Sequence, residues 1–319
     1  MKKWLLITPL IIILAAAAWI TYGFYTPFRG YSGKLILTIT PGAQAQSVAT
    51  KLLRHGVLAN RLPFLVRYWI GKQHHETLKW GEYLFDRPLS ATQVYAKLAR
   101  GEVFLHTVVI PEGFDRFDMA RTFARELDLS PQAFLSATQD ASAIRDLDPQ
   151  ARTLEGYLFP DTYRFPRGVS AARVVQSMLR RFRSVLHSEI LPQLSGEGRS
   201  LHDVMTLASL VEKETPSPAE RPLIAGVFSR RLKLAMPLQC DPTVIYAVRL
   251  SGDADRSFLG PITESDLKIP SPYNTYVRAG LPPGPICSPG LDSIRAALDP
   301  APGKALYFVS DNHGGHVFS

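Results

Sequence analysis

No C-x-x-C pair, zinc-finger spacing, Walker loop or G-x-S-x-G elbow occurs in the 319 residues. The short motifs that announce structural zinc, bound nucleotide or a serine nucleophile are therefore missing. Cysteine is scarce too: Cys240 and Cys287 are the only two, too few for a disulfide scaffold and compatible either with one bridge or with two small buried core thiols. Charged residues make up only 20%, and although the balance is +8 the 36 Lys and Arg form no block, so nucleic acid is not an expected partner. His313-Gly314-Gly315-His316 offers two imidazoles in a Gly-rich loop with no third ligand in view, and neither a metal nor another cofactor is expected. Chemistry falls to ordinary side chains.

What is present is apolar. At 46% hydrophobic composition the chain can bury a sizeable core, and its length suggests two domains outside any anchor. Lys2 and Lys3 precede an uncharged run over residues 4–24, long enough for a helix crossing a hydrocarbon core that needs about 20 apolar residues. Pro9 lies near its start, and Trp4, Trp19 and Tyr22 sit near its ends like interfacial aromatics. A cleavable signal peptide is the competing reading, with 5–14 as the apolar region and Ala16-Ala17-Ala18 as the cleavage site. The retained anchor, residues 1–24, is expected on length. Under either reading the positive-inside rule places residue 25 onward outside the cytoplasm.

Alternation over 34–40, then Pro41-Gly42, predicts a strand and a turn. Helices over 48–53 and 63–70, a strand over 81–85, a helix over 91–99 ending at Gly101 and a strand over 104–110 complete a small α/β module, residues 34–110, of a size that suits binding rather than catalysis. Residues 111–319 read as a mixed, mainly helical domain, with helices over 116–127, 131–137 and 171–186, giving an α+β class overall. The interruption Leu154-Glu155-Gly156-Tyr157-Leu158-Phe159-Pro160-Asp161-Thr162-Tyr163 holds two carboxylates in an apolar setting, where a carboxylate must be paired, hydrogen-bonded or functional.

The strongest helical pattern covers 201–215, with one broad apolar stripe ended by Pro216 and Pro218. Glu212 and Glu214 fall on the two flanks of that stripe, and either could project from a helix end into a cleft. A Glu beside apolar walls keeps its acid form, as proton donation to a glycosidic oxygen requires. The two face roughly 160° apart and cannot flank one bond as a pair; a partner would have to be Asp241, Glu155 or Asp161. The plain alternative is a solvated helix end. Farther on, Pro237–Tyr246, Pro270–Tyr276 and Gly280–Gly290 are rich in Pro, Gly, amides, hydroxyls and aromatics, and read as loops suited to sugar recognition or as rigid loops without a ligand.

Five segments in order resemble the YceG-like family of endolytic murein transglycosylases, the MltG type: residues 154–163, Ala208-Ser209-Leu210-Val211-Glu212-Lys213-Glu214-Thr215, Leu238-Gln239-Cys240-Asp241-Pro242-Thr243, Tyr273-Asn274-Thr275-Tyr276 and Gly280-Leu281-Pro282-Pro283-Gly284. The resemblance implies that the second glutamate of Glu-Lys-Glu-Thr, Glu214, is catalytic, and that 34–110 is a LysM-like subdomain. It also implies lytic cleavage between N-acetylmuramic acid and N-acetylglucosamine, with Glu155, Gln239, Asp241, Thr243, Tyr273, Asn274 and Tyr276 holding the sugar. The implied partners are nascent glycan strands, the inner membrane carrying a single-pass anchor with its N-terminus in the cytoplasm, and the peptidoglycan synthases. Chains of this family run on past the His-Gly-Gly-His-x-Phe segment, so a truncation or a missing closing element is expected here. A water-using muramidase and a non-catalytic wall-binding scaffold are the competing readings.

Overall fold

The alternating residues of the first module form β1 (Leu35–Ile39), which buries Leu37 and Ile39 and pairs antiparallel with β2 (Gly81–Phe85), placing Leu37 opposite Tyr83. Between them α1 (Ala45–Arg54) turns Val48, Ala49 and Leu52 inward, and α2 (Arg61–Gln73) starts at Asn60, whose side chain accepts from the Leu62 amide. A capping box of Ser90 and Gln93 opens α3 (Ala91–Arg100), and Gly101 in the left-handed region closes it. These elements share one core that includes Leu52, Phe64, Tyr83, Phe85, Tyr95 and Leu98. The computed structural model describes residues 15, 18, 21–194, 199–252, 262–311, 313 and 315–319. Of the expected membrane span over 4–24, only residues 15, 18 and 21–24 are among them, and no helix among the described residues is long and apolar enough to cross a membrane.

The chain divides into two compact units, residues 1–106 with Pro166–Gly168, and Thr107–Phe165 with Val169–Ser319. The expected strand over 104–110 does not close the first module. Phe104 touches β2 through one hydrogen bond to the Glu82 carbonyl, but β3 (His106–Val109) pairs with β4 (Thr162–Phe165). Val108 and Ile110 draw it away, because both are buried in the second unit's core.

That second unit is mainly helical, as its sequence periodicity predicts. Following β3 come α4 (Arg116–Leu127), opened by an Asp115–Asp118 capping box, and α5 (Pro131–Ala137). After β4 comes α6 (Ala171–Val185), prolonged by a π turn. The central helix is α7 (Leu201–Glu214): every residue from Leu201 to Val211 except Asp203 is buried. It packs against α8 (Arg221–Lys233) and α10 (Leu291–Leu298), with α9 (Asp241–Leu250) beside it. A hairpin of β5 (Phe308–Ser310) and β6 (His316–Phe318) ends the chain. The segment beginning at Pro237, expected as loop, becomes helical at Asp241, because Pro242 falls in the first turn of α9, where a proline removes no helical hydrogen bond.

Gly156 holds the 154–163 segment in place: at φ +84°, a Cβ there would lie 2.4 Å from the Pro285 Cβ. Gly156→Ala is expected to cost about 2–4 kcal/mol, strain plus overpacking. Gly42→Ala, at φ +72° in open space, is expected to cost only about 1 kcal/mol. Urea unfolding of both variants checks this; equal losses would contradict the packing role of Gly156.

Candidate active site

The two glutamates that the helical wheel leaves equivalent have opposite surroundings. Glu212 accepts from Arg221 Nη2 at 3.2 Å and from the Gly290 amide at 2.9 Å, just before α10, with a side chain only 6% exposed. It is fully engaged in joining α7 to α8 and α10. Lys213 points outward, its Nζ 3.3 Å from the Gly113 carbonyl. Glu214 is the last residue of α7 and half-buried. Thr215 breaks the helix with extended backbone, and its hydroxyl donates to Glu220 Oε2 at 3.0 Å.

A second wall comes from the start of α9. The buried Cys240 thiol acts on the Glu214 carboxylate, lowering its pKa, and Asp241 follows, exposed, at the helix's first position. A threonine clasp holds this turn. Thr275 Oγ1 accepts from the Cys240 amide at 3.0 Å and lies 2.9 Å from Thr243 Oγ1, which donates to the Cys240 carbonyl at 2.6 Å. The Gln239 amide donates to the Thr275 carbonyl, and Gln239 itself stands at φ +51° with an exposed side chain. A non-glycine residue held in the left-handed region is stored strain of the kind that accompanies functional sites.

Asn274 has no exposure; its amide donates to the Leu267 and Ile269 carbonyls, both at 3.0 Å, and its Oδ1 accepts from the Tyr276 amide. That loop presents the Tyr276 hydroxyl, which donates to Asp241 Oδ1. The third contribution is the C-terminal hairpin. His316 bonds Glu220 through its amide and its ring Nδ1, each at 2.8 Å, and its charge acts on Glu214.

Burial raises the Glu214 pKa above the ordinary glutamate value, and Asp241 pushes the same way; the Cys240 thiol and His316 oppose them. The position at the negative end of α7 also favours the neutral acid. Asp241 is the carboxylate that acts on Glu214. Asp161, just before β4, is bound to Arg181.

Glu155 lies behind the site, 2% exposed, accepting from the Arg116 amide and guanidinium and from the Tyr246 hydroxyl at 2.9 Å, while its other oxygen has no protein partner. Burial drives its pKa up to about 7 against the pull of Arg116. Tyr246, on α9, packs its ring on Tyr273 with centroids 5.0 Å apart. The expected site residues therefore separate by depth: Gln239 and Asp241 are exposed, Glu214, Tyr273 and Tyr276 are half-buried, and Thr243, Asn274 and Glu155 are buried supports.

Sequence reasoning missed Cys240 and His316 as members of this site. Cys240 was legible as a neighbour of Asp241, but its thiol read equally as a disulfide or core residue; it and Cys287 are both free and buried. His316 drew attention as a possible ligand, yet among the described residues no group of three or more His, Cys, Asp or Glu could hold a metal.

With this geometry in hand, the comparison with known proteins is specific: the YceG-like family model matches residues 37–319. The chain belongs to the YceG-like family. A Bacillus subtilis relative named endolytic murein transglycosylase is 30% identical over 89% of this chain and 80% of its own length. A Streptococcus pneumoniae relative of the same name is 31% identical over 92% of this chain. The chain spans 57% of the length of that streptococcal relative. A crystal structure of a YceG-like protein from Listeria monocytogenes superposes with a TM-score of 0.60 at 31% identity, covering 90% of this chain and 96% of that one. The shared stretch in this family member includes the Glu214 helix, the threonine clasp and the closing hairpin.

The raised pKa of Glu155 carries a stability consequence. A carboxyl favoured as the acid in the folded state contributes stability that is full below its ordinary value of 4.5 and lost as pH rises through about 7. Urea unfolding against pH is expected to show a decline of about 3 kcal/mol over that window that disappears in Glu155→Gln. A variant with the unaltered slope would contradict the assignment.

Proposed function

We propose that this chain is a lytic murein transglycosylase that cuts glycan strands between N-acetylmuramic acid and N-acetylglucosamine and leaves a 1,6-anhydro end, acting internally on nascent strands as a terminase. The observation that carries the reading is Glu214: one half-buried carboxyl with a raised pKa at a helix end, under the charge of an exposed Asp241 that accepts from the Tyr276 hydroxyl. The names of the relatives agree with it. In the first step the Glu214 proton passes to the bridging oxygen as its bond to C1 breaks. The Glu214 carboxylate then takes the proton of the muramic acid 6-hydroxyl as O6 bonds to C1. The acid is regenerated and no water is consumed.

Asp241, held by Tyr276, supplies negative charge beside the developing positive charge at C1. Gln239 and the Tyr273 and Tyr276 rings hold the sugar by hydrogen bonds and stacking. Thr243, Asn274 and Glu155, although buried, serve the same substrate contacts by fixing the turn and loop that make them.

In this proposal residues 1–24 anchor the chain once through the bacterial inner membrane with the N-terminus in the cytoplasm. Residues 34–106 form a LysM-like subdomain that grips glycan, and 107–319 carry the chemistry on the outer face, beside the synthases that make the strands. A water-using muramidase is the second reading, favoured by the Asp241 carboxylate next to Glu214. Digestion of purified peptidoglycan in heavy-oxygen water separates the two by mass. Lytic cleavage gives anhydro ends that carry no heavy oxygen; labelled reducing ends would instead establish hydrolysis.

Because the acid form of Glu214 starts the reaction, kcat/KM falls as pH rises past its pKa. Cys240→Ala and His316→Gln each remove a group that favours the carboxylate, so each is expected to move that fall to higher pH. An unmoved or lowered alkaline limb in both variants would contradict Glu214 as the acid.

A further inference from the structure

Helix α2 of the first unit is apolar on both sides. Its inner side buries Pro63, Phe64 and Gly71, whereas Leu62, Val66, Trp69 and Ile70, spaced as one stripe, are between 39% and 59% exposed. A solvated helix carries polar residues on such a face, and a continuous exposed stripe marks an interaction surface. Lys72 holds its ammonium 5.2 Å over the Trp69 ring, and Arg61 stands exposed at the head of the same helix. Tryptophan with a long basic side chain suits the boundary between lipid headgroups and acyl chains.

Charge singles out the same unit. Residues 25–106 hold eleven Lys and Arg against four Asp and Glu, a net +7, whereas residues 107–319 hold 23 against 24. The excess of the whole chain thus lies almost entirely in the module that bears the stripe, complementary to an anionic surface. The route of the chain agrees. The uncharged run over 4–24 leads into a helical turn at 21–25, where Gly23 lies so close to Pro63, in the first turn of α2, that a Cβ would reach 2.8 Å from its ring. The Phe24 carbonyl accepts from Thr92 Oγ1 at 3.0 Å. The segment read as the membrane anchor therefore delivers the chain directly to the start of α2.

The geometry points to the outer α2 face as a membrane-docking surface, in which Leu62, Val66, Trp69 and Ile70 enter the headgroup boundary of an anionic outer leaflet and Arg61 and Lys72 meet its phosphates. This rests on the anchored topology proposed above. Docking would hold the module against the bilayer instead of letting it swing on the anchor, and so would fix the height above the membrane at which the module meets glycan.

The test uses the full chain reconstituted in phosphatidylcholine vesicles with and without phosphatidylglycerol, carrying a nitroxide at Val66→Cys or, as a control, at the exposed Ile36→Cys on β1. Cys240 and Cys287 are buried, so the label goes to the introduced thiol. With phosphatidylglycerol, the Val66 nitroxide is expected to be several-fold more accessible to oxygen than to an aqueous nickel chelate, the preference weakening at high salt, while Ile36 stays water-accessible. Equal behaviour of the two sites, in a chain that alkaline carbonate fails to strip from the vesicles, overturns the docking alone. A chain that carbonate strips overturns the anchored topology and the docking together. Protection of Val66 by added soluble glycan and not by lipid assigns the face to glycan and overturns the proposal.

Discussion

The site depends on the tie that Glu212 makes with Arg221 and the Gly290 amide. A carboxylate with almost no exposure must be neutralised and hydrogen-bonded, and this one is satisfied only if α7, α8 and the start of α10 meet at one point. That meeting fixes the last turn of α7 and so the direction in which Glu214 leaves it. Two residues on, the chain has turned to the opposite flank of the helix, and Glu214 finds a buried thiol and a neighbouring carboxylate in place of a guanidinium. The difference between an acid engaged by a guanidinium and one with a raised pKa is thus made within a single turn, by which helix each side meets.

The same division runs through the other carboxylates. Glu155 is held by Arg116 and Tyr246, Asp161 by Arg181, and Glu220 by His316 and Thr215. Of Asp241, Glu155 and Asp161, Asp241 alone acts on Glu214 from an exposed position, with a tyrosine hydroxyl on it. An acid with a raised pKa beside one exposed carboxylate suits a reaction in which the same group gives and then takes a proton. The buried Thr243, Thr275 and Asn274 hold the α9 turn in place, so that Asp241 and Cys240 reach Glu214 without rearrangement.

Much of the local structure was legible in the sequence because its signals are local. The helices over 116–127 and 131–137 and the strand over 81–85 start and stop where periodicity, caps and turn residues place them. The misreadings concern what spacing cannot encode. The strand near residue 106 has an ordinary pattern, but its partner is set by where Val108 and Ile110 are buried. The helix α9 hides behind Pro242, which reads as a breaker until its place in the first turn is known. Within the site, Glu212 and Glu214 differ only through Arg221, Gly290 and Cys240, and the His316 contribution arrives from the end of the chain. The family resemblance selected Glu214 where the helical wheel could not.

The account turns on Glu212 being structural and Glu214 being the acid, and paired isosteric variants address it directly. Glu214→Gln should unfold in urea within about 1 kcal/mol of the parent and lose at least about a hundredfold in kcat on purified peptidoglycan. Glu212→Gln, leaving Arg221 without its buried partner, should lose about 3 kcal/mol of stability while its folded fraction keeps most of its turnover. An inactive but fully stable Glu212→Gln, beside a Glu214→Gln that still cuts, would contradict the account at its centre.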